Sequence, residues 1–176
     1  GVDKKAKKTL NIIISLIEHC NNGAPAKTLT AESSELDIIN QFHLLTMKPV
    51  LYVANVDETE ILDNSLGKYS KMLFNYAEKN NNSAIRVCAS IEQEISTLED
   101  EEKELFLNEY NLSEPGLNRI IQSSFKLLNL HTFFTCGKKE VKSWTIPVGS
   151  TAPTAAGAIH SDFERGFIKA EIFHYK

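Results

Sequence analysis

The chain has 176 residues, 42% apolar and 24% charged, with a formal net charge of -4. That balance excludes a disordered chain, describes an ordinary globular protein of one or two domains, and gives no electrostatic argument for duplex binding, which usually shows as a basic excess. Cys20, Cys88 and Cys136 are odd in number and lack CxxC spacing, so reduced thiols in the cytoplasm fit better than a disulfide framework or a zinc site, and no apolar run approaches a membrane span.

Leu10, Ile13, Ile14 and Ile17 recur at helical spacing and predict an amphipathic helix over 4–20, widened by Ile12 and Leu16 and stopped by Asn22, Gly23 and Pro25. Lys4, Lys5, Lys7 and Lys8 oppose the macrodipole at that end, so the helix is expected to begin upstream. A second helix is expected after Thr30, with Glu32 in its first turn and Leu36, Ile39 and His43 on one side, ending before Pro49.

The pattern then changes. Residues 49–54 form a short apolar run that opens on proline, the strand position where proline is best tolerated, and read as a buried parallel strand. Leu66, Tyr69, Leu73, Tyr76 and Ala77 give a helix, and residues 83–89 a second strand. A βαβ unit brings the loops after both strands to one carboxyl edge, where open α/β sheets bind ligands. Asn55 and Ala89 are therefore expected to be neighbours.

Two helices should follow, one starting near Thr97 with Glu99, Asp100, Glu101 and Glu102 at its positive end. The other is expected to be capped by Ser113 with Pro115 in its first turn, and to bury Leu117, Ile120, Ile121, Ser124 and Leu128. Beyond Asn129 the texture is β-rich: 130–136 and 140–148 read as a hairpin around Gly137, with Trp144, Ile146 and Val148 alternating onto one face. A short helical turn after Thr151, an extended 160–164 segment and a strand over 167–175 would complete the order strand, strand, helix, strand of a small β-grasp module. That last strand has no closing element, so an incomplete piece of a longer polypeptide is expected.

The chemistry centres on Asn55-Val56-Asp57-Glu58, just past the first strand. An asparagine carboxamide presents an acceptor and two donors in a plane, enough for a purine N7 and the exocyclic group beside it. The alternative from spacing alone is that Asn55 caps a turn. Residues 48–58 resemble the base-specificity segment of the Obg-like ATPase (YchF) family, which carries NxxE where most GTPases carry NKxD. Cys88-Ala89-Ser90-Ile91-Glu92 with Glu94 is similar to that family's last nucleotide-contacting loop, although Cys88 stands where serine is more usual. Thr151-Ala152-Pro153, Ala155-Ala156-Gly157 and 159–168, after Trp144-Thr145-Ile146, look like the start of its TGS domain.

The resemblance implies an α/β chain organised as part of a helical (coiled-coil) insert over 1–44, the C-terminal half of a P-loop NTPase parallel-sheet domain over 45–129, and the N-terminal part of a β-grasp TGS domain over 130–176. It implies nucleotide contacts at Asn55, Val56, Glu58, Cys88, Ala89 and Ser90. It further implies ATP or GTP as ligand with Mg2+ in the intact parent, and ribosome or RNA association through the TGS module. No GxxxxGK[ST] occurs in the sequence, so the phosphate-binding loop and its lysine are missing, and these residues alone are expected not to hydrolyse nucleotide. The competing expectation is a docking module acting on the ribosome or another protein through the helical arm and TGS fold.

Overall fold

The computed structural model describes residues 2–173, and the chain divides into two compact units, Gly1–Val50 and Leu51–Lys176. In the first, α1 (Val2–Asn21) is followed by a turn at Gly23, whose φ of +78° a side chain would resist, and by 3-10 turns at Ala26–Thr28 and Leu45–Met47 around α2 (Ser33–Asn40). Glu32 caps α2 reciprocally with Glu35, whose Oε2 accepts from the Glu32 amide at 3.0 Å. Ile12, Leu16, Ala26 and Ile39 form the core of this unit, with Leu29, Ile38 and Met47 packed on it.

Two expectations change here. The stripe Leu10, Ile14 and Ile17 is about half exposed, and Ile12 with Leu16 is the buried line. An apolar surface this wide satisfies helical spacing along more than one line, so spacing does not say which line meets α2. His43 lies beyond the end of α2, in a left-handed turn with φ of 49°.

In the second unit β1 (Leu51–Asn55) pairs in parallel with β2 (Ser83–Val87), in a register that sets Asn55 opposite Val87. The crossover holds α3 (Glu58–Leu62) and α4 (Lys68–Lys79). Tyr52 meets Tyr76 of α4 edge-on at 5.9 Å between ring centres. Of the β1 residues only Ala54 is buried, and Val53 is 44% exposed. The expectation of a fully buried strand fails because β1 has one strand neighbour among the described residues. Arg86 ties the crossover to β2, donating to the carbonyls of Glu60 at 3.2 Å and Ser65 at 2.8 Å and to Asn64 Oδ1.

After β2 come α5 (Ala89–Thr97), α6 (Asp100–Glu109) and α7 (Gly116–Leu127). Thr97 therefore ends a helix instead of starting one; α6 begins one capping-box turn later, Glu99 paired with Glu102. Nor does Ser113 cap α7. Pro115 holds that position, and Glu92 of α5 accepts from the Gly116 and Leu117 amides at 2.7 and 3.0 Å. A carboxylate there meets both the unpaired amides and the positive end of the helix. The face expected to be buried is divided: Ile120 and Ser124 are half-buried, whereas Leu117, Ile121 and Leu128 are about half exposed.

The hairpin follows the expected pattern as β3 (Leu130–Cys136) and β4 (Val141–Pro147), antiparallel, its base closed by the Val148 amide on the Asn129 carbonyl at 2.8 Å. Ile146 is buried and Trp144 half-buried on one face, while Val148 is 51% exposed. The helical turn after Thr151 is a full helix, α8 (Ala152–Ile159). The segment expected to be extended is α9 (Ser161–Arg165), because His160 caps it by accepting from the Asp162 amide at 3.2 Å. Residues 167–173 form no strand, and 174–176 of the expected third strand lie outside the described residues.

A Cβ on Gly116 would lie 2.8 Å from Glu92 Oε1 and 3.1 and 3.2 Å from the Val87 methyls. Gly116→Ala is therefore expected to destabilise the unit by about 1–3 kcal/mol, and Glu92→Ala by a similar amount. Both disturb one carboxylate, so denaturant midpoints of the double variant should show less than the sum of the single losses. Full additivity would mean that the two residues act independently.

Candidate functional site

The carboxyl ends of β1 and β2 form one small platform. Val56 N donates to the Val87 carbonyl at 2.9 Å, extending the parallel ladder by one bond. Beyond it the Asn55 carboxamide oxygen accepts from the Ala89 amide at 3.1 Å. The two loops are thus joined through the first residue of α5. Asn55, Glu58, Ala89 and Ser90 are all exposed there, as a surface that meets a ligand must be.

Asp57 sets the loop's exit. It caps α3, accepting from the Glu60 amide at 2.9 Å and the Thr59 hydroxyl at 2.7 Å. These bonds, the Thr59 hydroxyl foremost, hold its carboxyl below the ordinary aspartate range. Glu58, the first residue of α3, accepts from the Ser90 hydroxyl at 3.2 Å, and the Ser90 oxygen lies 3.1 Å from Cys88 Sγ. Glu58 is thereby joined to the same first turn of α5 that holds Asn55.

Val56 and Cys88 turn toward the core. Cys88 is buried at the N-cap of α5 in a cluster with Ile61, Ile91 and Ile95, and Val56, Phe106, Leu107 and Tyr110 pack on it. Spacing did not single out Tyr110, which lies far along the chain at the end of α6. It stacks on Phe106 at 4.8 Å between ring centres. Its hydroxyl is held above the usual tyrosine range, first by burial and then by the charge of Glu58. No local sequence signal marks that proximity, because it depends on the docking of α6.

The arrangement offers the Nδ2 donors of Asn55 and the exposed turn of α5 to a planar, hydrogen-bonding ring. Among the described residues no group of three or more His, Cys, Asp or Glu side chains could hold a metal ion. No helix among them is long and apolar enough to cross a membrane.

Residues 130–176 match a family model described as YchF-GTPase_C, a protein of unknown function (DUF933). Across nearly its whole length the chain is similar to proteins named ribosome-binding ATPase YchF. It is 44% identical to that of Pasteurella multocida over 175 residues, 99% of this chain and 47% of the relative, and 45% identical to that of Bacillus subtilis over 174 residues, 99% and 48%. The solved Schizosaccharomyces pombe YchF GTPase superposes with a TM-score of 0.79 at 32% identity, covering 94% of this chain and 44% of that one. The fold class is thus the mixed α/β architecture of that GTPase. The chain belongs to the YchF family, and it spans about half the length of the curated relatives it matches.

Thr59→Ala should raise the Asp57 pKa toward 3.8 in a carboxyl NMR titration. A depressed carboxylate stabilises the fold above its unfolded pKa and is lost as pH falls through the folded value, so the variant should lose its share of that acid sensitivity. Tyr110 has the opposite sign. Its raised pKa places its contribution below pH 10.0, lost as pH rises through the folded value, and Tyr110→Phe should remove one tyrosinate absorbance transition above 10.0. Loss of a transition in the ordinary tyrosine range instead would mean that neither burial nor the Glu58 charge acts on Tyr110.

Proposed function

We propose that this chain supplies the base-reading half of a purine-nucleotide site in a P-loop nucleoside triphosphate hydrolase that takes ATP at or above GTP. The observation that carries the reading is the Asn55–Ala89 bond, which fixes a carboxamide at the carboxyl edge of a parallel strand pair. With Oδ1 tied to the α5 amide, Nδ2 is the donor for a purine N7, and the second lone pair of Oδ1 is an acceptor for the N6 amino group of adenine. The exposed turn Ala89–Ser90 lies along the ring, and Val56 and Cys88 support that turn from the core. Phosphates and Mg2+ would be held by a phosphate loop that this sequence does not carry, and Mg2+ would there neutralise charge on the transferred phosphoryl group.

Within the same reading, residues 45–129 belong to the parallel-sheet nucleotide domain, 1–44 to a helical insert, and 130–176, with the β3–β4 hairpin, α8 and α9, open a TGS-type β-grasp module. The relatives' printed name supports the ribosome as partner. Lys142 on this hairpin lies over the Trp144 ring at 4.3 Å, which places a cation beside an aromatic face.

In a protein of the relatives' full length carrying these residues, Asn55→Ala should weaken ATP binding by roughly 1–3 kcal/mol by titration calorimetry. An unaltered affinity would mean that the base is read elsewhere. For the partner, Lys142→Gln with Arg165→Gln should weaken ribosome co-sedimentation and lower its salt slope by about 1 for each phosphate that the missing cation had neutralised. Salt-independent association would argue against binding to RNA.

A further inference from the structure

We infer that Ser90 is a specificity-determining positioning residue, whose hydroxyl holds the Glu58 carboxylate against the first turn of α5 and so keeps it off the Watson–Crick edge of the purine. The inference rests on the base-reading role proposed for Asn55 and adds to it the group that decides between adenine and guanine.

Glu58 stands three residues after Asn55, where a shorter aspartate would accept from the N1 and N2 donors of guanine. Adenine presents an acceptor at N1, so a carboxylate brought to that edge repels it while attracting guanine. Which base the site prefers therefore depends on where the Glu58 charge is held. In the structure it is held by Ser90, whose hydroxyl lies 3.2 Å from Glu58 Oε1.

The direction of the bonds follows from chemistry. An ionised carboxylate only accepts, so the single Ser90 proton goes to Glu58. The Ser90 oxygen is then free to accept, and the Cys88 thiol 3.1 Å away is the donor that suits it. Cys88 S–H to Ser90 O–H to Glu58 forms a short chain whose far end is fixed, since Cys88 is 4% exposed and packed among Ile61, Ile91 and Ile95. The near end is favoured as well: α5 presents the positive end of a nine-residue helix to the carboxylate. The charge of Glu58 also bears on the Tyr110 hydroxyl from the α6 side, as expected for a carboxylate turned toward α5 and α6.

The experiment measures ATP and GTP affinities of the full-length protein by calorimetry for the parent sequence, Asn55→Ala, Ser90→Ala, Ser90→Thr and Glu58→Asp. Ser90→Ala releases the carboxylate, and Glu58→Asp withdraws it from Ser90 by one methylene. Both are expected to move the GTP-to-ATP affinity ratio about tenfold toward GTP, within the discrimination that one good base contact provides. Ser90→Thr keeps the hydroxyl and should keep the ratio. A role confined to folding would lower both affinities together and leave the ratio in place, which would overturn the inference. If Asn55→Ala weakens binding while Ser90→Ala and Glu58→Asp retain the parental ratio, the latch is wrong and the base site stands. If Asn55→Ala changes neither affinity, the base site fails and the latch with it.

Discussion

The bond from the Ala89 amide to the Asn55 carboxamide joins residues 34 apart in sequence, and the geometry of the site hangs on it. It is not what holds the unit together. An exposed hydrogen bond of this kind contributes only about 0.5–1.5 kcal/mol net, whereas burial of Ile61, Cys88, Ile91 and Ile95 behind it supplies several times that. What the bond supplies is orientation. An amide side chain reads O and N alike to a solvent-exposed ring until one end is committed, and here the oxygen is committed to the start of α5. The nitrogen is then a donor of known direction, which is the property a base-reading residue needs.

A second constraint continues from this one. Glu92 lies one turn into the helix that Asn55 anchors, and its two carboxylate oxygens take the first amides of α7. α7 ends at Leu127 and passes into β3 at Leu130, with Val148 bonded back to Asn129 to close the hairpin base. The carboxyl edge of the parallel pair and the hairpin are therefore linked by consecutive satisfied hydrogen bonds. Each polar group named along that path has a hydrogen-bond partner. A switch would need an element with two arrangements of similar energy.

Much of this was legible in the residues. The proline-led apolar run of β1 and the polar break before β2 announce a βαβ unit, and that topology alone makes Asn55 and Ala89 neighbours. The hairpin was equally plain, since its period is two and its turn holds glycine. Local capping was partly legible: Asp57 with Glu60 three residues on is an N-cap signature, and it starts the short helix α3 that hydrophobic spacing alone passed over. The start of α7 was not legible. Its amides are satisfied by Glu92, 24 residues earlier, and no window around Ser113 or Pro115 contains that partner. The same holds for Tyr110 beside Glu58. Helix faces failed for another reason: Leu10, Ile14 and Ile17 satisfy the period as well as Ile12 and Leu16 do, and only the position of α2 separates them.

The division of labour between base and phosphate follows from magnitudes. A well-made contact to a base edge is worth about 1–3 kcal/mol, while even millimolar affinity needs about 4.1 kcal/mol after the loss of translational and rotational freedom has been met. On the proposed reading, Asn55 and its neighbours would therefore choose among nucleotides without being able to hold one. Retention falls to groups that meet the triphosphate, whose charge gives far larger interactions with a backbone nest, a lysine and Mg2+. A loop that selects without retaining tolerates small changes in chemistry, such as Val56 in place of a lysine stem or a glutamate one methylene longer than aspartate. On that reading each of those changes would alter which base is favoured and leave the anchoring of the phosphates untouched.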